Sequence, residues 1–260
     1  MYFRKSYARY TQLAAISKRM IAQRSSPKRK DFVYGYNFTP ANDNSIQRKT
    51  IFLHGVYGTK EEWDYVATSD EILQYTNTYT VDAVNHGDTS HHTEMSLDHQ
   101  VQDLIDFADL HDINKMTLIG HGMGGRVAMR TAMFFPDRVQ AIMSVDAPAF
   151  DLRKFPNYNK RTYEIMKYVS ELDVKGMPYE LMKSLISKIY DNHQVGVNRT
   201  MKHVKFNDTK TTVIRWKSNP INIFSNADEI FKFELNGKYS GPAKMLVSHS
   251  KRFNLSHYSA

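Results

Sequence analysis

The sequence predicts an α/β fold, a mostly parallel sheet with helices on both faces and a helical insertion towards its end. Three observations predict it. Short apolar segments alternate with amphipathic ones between residues 50 and 145. The strand-like Met116 to Ile119 runs through the glycine-rich turn Gly120-His121-Gly122-Met123-Gly124-Gly125 into a helix. From about Phe150 to Glu234, helical spacing replaces the alternation.

Taken in order, Met1 to Lys30 places Leu13, Ile16, Met20 and Ile21 at near-helical spacing among basic residues. That is the composition of a mitochondrial transit peptide, or, if held in place by a partner, of a docking arm. Phe32 to Phe38 alternates like a half-exposed strand, and Pro40 to Ser45 is turn chemistry. Thr50 to Leu53 is a short strand ending at His54-Gly55, Glu61 to Gln74 reads as a helix, and Tyr79 to Val84 as the next strand. Met95 to Leu110 carries Leu97, Val101, Leu104, Ile105 and Phe107 or Leu110 on one helical face, capped at or near Ser96. Gly124 to Phe134 is a helix stopped near Pro136, and Val139 to Val145 is a strand ending at Asp146. Thr162 to Leu172, Tyr179 to Asn192 and Asn226 to Phe233 read as cap helices without strands between them, before a last strand, Ala243 to Val247. The expected organisation is a basic extension over 1–30, a core over 31–150, a helical cap over 151–236, and a final strand and tail over 237–260.

A chain of 260 residues is long enough for one sizeable core with an inserted subdomain. It has no cysteine, which excludes disulfides, thiolate metal sites and cysteine nucleophiles. No apolar run reaches the roughly 18 to 20 residues that span a bilayer. The net charge of +8 is local: Met1 to Lys30 holds nine of the 35 Lys/Arg and none of the 27 Asp/Glu, leaving 26 cationic against 27 anionic residues elsewhere. A near-neutral body argues against nucleic-acid binding.

The most informative position is Gly122. Strand, sharp glycine turn and helix form the context of a nucleophile elbow, Gly-x-Ser-x-Gly, in which the central side chain projects above the sheet. Here Gly122 stands where the serine belongs.

Four segments in order resemble the α/β-hydrolase fold: Phe52-Leu-His54-Gly55-Val-Tyr57-Gly58, Val81-Asp82-Ala-Val-Asn85-His86-Gly87-Asp88-Thr89-Ser90, Gly120 to Gly125, and Ser144-Val-Asp146-Ala-Pro148. They are most similar to the mitochondrial subfamily named α/β-hydrolase domain-containing protein eleven. The resemblance implies oxyanion amides on the Gly55-Val56 loop and on Met123, a triad acid at Asp146, and at the variable position before the nucleophile a histidine of the kind the family often carries, His121, without a catalytic role. It places the general-base imidazole on a loop after one further strand, whereas this sequence stops soon after Val247, and His249 and His257 fall too early in the topology. Asn85 to Asp88 reads as a turn. With neither serine nor imidazole, the expectation is a truncated, non-catalytic pseudoenzyme without cofactor or metal. It would serve as an accessory subunit of a mitochondrial inner-membrane complex, of the respiratory chain or ATP synthase, with other subunits and anionic lipid as partners, and lie on the matrix side or peripherally on the inner membrane.

Two other readings stand beside it. One is an acyl hydrolase with an unrecognised nucleophile, such as Ser90, Ser144 or a substrate-assisted water. The other is dinucleotide binding, because Gly120-x-Gly122-x-x-Gly125 also satisfies that fingerprint, with Asp146 at the end of the next strand.

Overall fold

Six strands form the central sheet: β1 (Tyr36–Thr39), β2 (Lys49–Leu53), β3 (Asn77–Val81), β4 (Met116–His121), β5 (Val139–Val145) and β8 (Ala243–Leu246). Their order is β1-β3-β2-β4-β5-β8, parallel throughout except for the antiparallel edge strand β1. The computed structural model describes residues 32–192, 194–234 and 237–247. The expectations placed on Met1 to Lys30, His249 and His257 lie outside these.

The central strands are continuous apolar or β-branched runs because both faces are covered. On one side the helix α3 (Leu97–Leu110) lays Leu97, Val101, Leu104, Ile105 and Ala108 into the core, and its predicted cap is present: Ser96 accepts from the His99 N–H. The helix α4 (Met123–Phe134) is buried along all 12 residues, two of them arginines. Arg126 donates to the carbonyls of Ile230 and Phe231, and Arg130 pairs with Asp98 and donates to the Glu234 carbonyl. Main-chain oxygens in the segment that leads back from the cap therefore let a wholly buried helix carry two cations.

Between β2 and β3 the single predicted helix over 61–74 is instead a 3-10 turn, Lys60–Trp63, and two short helices, α1 (Asp64–Ala67) and α2 (Asp70–Leu73). Thr68 and Ser69 break it, with Ser69 in extended backbone at φ −76° and ψ 145°.

The cap consists of α5 (Pro156–Glu171), α6 (Tyr179–Ile189), α7 (Gln194–Lys202) and the antiparallel hairpin β6 (Val204–Phe206) and β7 (Val213–Trp216), followed by α8 (Pro220–Ser225) and α9 (Ala227–Phe231). The hairpin corrects the expectation of a strand-free cap. Its turn is held by the Asn207 side chain, which accepts from the N–H groups of Thr211 and Thr212. The predicted helix over 226–233 likewise begins earlier and is split at Asn226. The cap has a hydrophobic cluster of its own, including Met182, Ile186, Val197, Val213 and Trp216, distinct from the cluster around the sheet.

Candidate active site

Register brings three strand ends to one edge of the sheet. Leu53 of β2 lies opposite Gly120 of β4, and His121 lies opposite Val145 of β5. The loops that follow, His54 to Gly58, Gly122 and Asp146, therefore meet at the carboxyl ends of the strands, where open α/β sheets place their sites.

The turn at Gly122 is tight for reasons visible in its neighbours. A Cβ on Gly120 would lie 2.3 Å from the Gly124 carbonyl carbon, and one on Gly124 would lie 2.4 Å from the Leu53 oxygen. Both positions admit only glycine. Gly122 differs: it adopts φ 53° and ψ −114°, and a Cβ there would meet only the Gly55 Cα, at 3.8 Å. The elbow is thus fully formed, with room for the side chain it lacks. Its N–H donates to the Val145 carbonyl at 2.9 Å, which sets Asp146 one residue beyond the elbow's own hydrogen-bond partner. Asp146 is half-buried at φ 46°, and its N–H donates to the Leu246 carbonyl.

The facing loop is anchored by two buried imidazoles. His54 accepts from the Ala83 N–H at Nε2, so its proton is on Nδ1, which donates to the Gly55 carbonyl at 2.8 Å. His86 accepts from the Tyr57 N–H at Nε2 and donates from Nδ1 to the Val84 carbonyl. Burial pulls both histidines below the ordinary imidazole range, His86 well below it. Neutral, and with both nitrogens engaged, neither is poised to take a proton from a nucleophile. Beside them Lys60 sits between Asp82 and Asp88 and holds the loop base. Burial opposes its charge, but the hydrogen bonds to Asp88 and Asp82 outweigh it and keep Lys60 above the ordinary lysine range. None of Tyr57, Lys60, Asp82 and the two arginines of α4 was singled out as functional from the sequence. A lone charge next to a strand end was the available signal.

Two backbone N–H groups remain. Among the described residues, neither the Val56 N–H nor the Met123 N–H has a protein acceptor, while the neighbouring Tyr57, Gly58, Gly122 and Gly124 N–H groups all have one. Met123 opens α4, where N–H groups lack intrahelical partners and the helix dipole favours negative charge. The pair lies on the two loops that meet at Gly122, where the Gly55 Cα comes within 3.8 Å of the place a Gly122 Cβ would occupy. His121 lies against the same loop, since a Cβ on Gly55 would fall 2.8 Å from its Nδ1.

The displaced nucleophiles fail. Ser144 is buried in β5 and donates to the Ala147 carbonyl at 3.3 Å, and Ser90 accepts from the Val33 N–H at 2.9 Å as part of a loop pairing. The Asn85 to Asp88 segment is a hydrogen-bonded loop, with Asn85 exchanging two bonds with the His92 backbone. Among the described residues no group of three or more His, Asp or Glu is disposed to hold a metal, and no helix is long and apolar enough to cross a membrane.

The sequence profile of the alpha/beta hydrolase fold matches residues 51–166, the stretch that contains the His54 to Gly58 loop, the Gly122 elbow and Asp146. The chain has the alpha/beta hydrolase fold. The chain is 26% identical over 210 residues to the sn-1-specific diacylglycerol lipase ABHD11 of Danio rerio, a match that covers 78% of this chain and 63% of that one. It is 36% identical over 107 residues to a probable alcohol acetyltransferase of Wickerhamomyces anomalus, covering 40% and 30%. A marine microorganism esterase has the same fold, at a TM-score of 0.72 and 23% identity over 82% of this chain and 80% of that one. The chain thus spans 30% to 63% of the length of these two curated relatives.

These findings overturn the expectation of a non-catalytic structural subunit of a respiratory or ATP-synthase complex. The relatives are named as a lipase and an acetyltransferase, the fold neighbour as an esterase, and none as a subunit of an assembly. The dinucleotide reading also falls. The glycine turn follows the third parallel strand rather than opening the first strand-turn-helix unit of the sheet.

Proposed function

We propose that the protein is an acyl-ester hydrolase of the α/β-hydrolase type, acting on lipid-like or simple carboxylic esters. The observation that supports this is the pair of unclaimed N–H groups, Val56 and Met123, at a fully formed elbow. The ester carbonyl oxygen accepts from both. A water in the space left at Gly122 attacks the carbonyl carbon, one of its protons passes to the Asp146 carboxylate, and the negative charge that develops on the carbonyl oxygen is held by the two amides. Collapse breaks the C–O bond, and the departing alkoxide takes the proton back from Asp146, leaving acid and alcohol.

Oxyanion stabilisation and binding without a complete triad leave roughly 10³- to 10⁴-fold acceleration over water. The full chain should therefore hydrolyse p-nitrophenyl butyrate at about that enhancement. Gly122→Leu, which fills the space above the elbow, should return the rate to background. Equal rates for the wild type and this variant would sink the reading.

Met1 to Lys30, basic and free of acid, supports delivery to mitochondria and suits contact with anionic lipid. Fusion of residues 1–30 to a fluorescent protein should direct it there, and a diffuse cytosolic signal would count against this.

A further inference from the structure

We propose that Tyr57 is a positioning residue that ties the cap to the oxyanion loop, so that the position of the cap sets the direction of the Val56 N–H. The inference rests on the acyl-ester reading above.

Tyr57 directly follows the donor residue and has φ 58°, a left-handed conformation that a bulky side chain adopts only when its surroundings impose it. Those surroundings come from two bodies. On the sheet side, the His86 imidazole accepts from the Tyr57 N–H at 3.1 Å, and the Gly58 N–H closes a turn onto the Gly55 carbonyl at 2.9 Å. On the cap side, the Tyr57 hydroxyl donates to the Met166 carbonyl of α5 at 3.3 Å. The ring packs against both hydrophobic clusters, that of the sheet and that of the cap. Burial, and to a lesser extent the neighbouring Tyr190, hold the phenol above its ordinary range, so it stays a hydrogen-bond donor.

The acceptor is a main-chain oxygen within a helix, so the link follows α5 as a body and does not depend on any cap side chain. Val56 lies inside the turn closed by Gly55 and Gly58, and its N–H belongs to the Gly55–Val56 peptide. A displacement of Tyr57 by the cap rotates that peptide. Met123, on the other side of the elbow, is held by α4, whose arginines are tied to the carbonyls of Ile230, Phe231 and Glu234 and not to that of Met166. The two donors therefore have different mechanical supports, and cap closure completes the pair.

The test compares the wild type, Tyr57→Phe and Tyr57→Asn in the full chain, the last being a residue at ease with positive φ. Amide exchange at Val56, measured without substrate, should rise tenfold or more in both variants while Met123 is unchanged. On p-nitrophenyl butyrate, kcat should fall about tenfold to a hundredfold with KM within threefold, as expected for a misplaced donor. A residue serving only stability would lower the melting temperature and leave kcat of the folded fraction intact. Unchanged Val56 exchange in both variants overturns the proposal. If the wild type lacks esterase activity, the functional reading fails, and the exchange data still decide whether cap and loop are coupled.

Discussion

At position 122 the missing side chain leaves space, whereas two residues away on either side an added methyl group would strike backbone. The contrast separates glycines kept by packing from one that packing does not require. Gly122→Ser should fold, at a cost of about 1 to 2 kcal/mol for an L-residue at positive φ. Gly120→Ala and Gly124→Ala force backbone apart and should each destabilise by about 3 kcal/mol or more, the upper end of overpacking costs. Urea denaturation of the three variants checks the order, and a Gly122→Ser less stable than Gly120→Ala would refute it. The sequence made Gly122 legible because the motif around it is short and local. It left Tyr57, Lys60 and Asp82 illegible, because their roles arise from contacts made across loops, such as Lys60 meeting Asp82 and Asp88.

The elements that were legible are those whose signal is local periodicity and whose ends carry chemistry. Val139–Val145 is the predicted strand to the residue, and α3 begins after its predicted Ser96 cap. The elements that were not legible follow from tertiary context. The β6–β7 hairpin is only three and four residues long and depends on the cap cluster, into which Val204, Val213 and Trp216 are packed. An isolated hairpin is marginal in water, so its signal in sequence is correspondingly weak. Helix α4 is a different case. Its boundaries were plain, but its function as an anchor was not, because the acceptors of Arg126 and Arg130 lie about a hundred residues further along the chain. In the fold they grip the carbonyls of Ile230, Phe231 and Glu234, so the helix that forms the elbow also fixes the end of the cap.

At the scale of the whole molecule, the buried neutral histidines set the acid limit of stability. Burial holds His54 and His86 below the ordinary imidazole value of about 6.5 in the folded state, whereas the unfolded chain titrates near it. Above pH 6.5 both states are neutral and the folded state carries no penalty. As pH falls below that value the unfolded chain takes up protons that the folded chain does not, so stability declines, with a limiting slope of about 1.4 kcal/mol per pH unit for each histidine. The urea midpoint should accordingly be flat from pH 7 to 8 and drop between pH 6.5 and 5; a midpoint that rises on acidification would contradict the neutral assignment. The sheet order carries a separate consequence, for synthesis. Strands β1 to β5 leave the ribosome in one continuous stretch, but β8, the neighbour of β5, follows only after the whole cap. At about 5 to 20 residues per second, the roughly 100 intervening residues keep the outer edge of β5 unpaired for roughly 5 to 20 s. Throughout that interval the nascent chain displays a ready template for stray strand pairing, and it is then, rather than in the finished molecule, that this protein has most need of a chaperone.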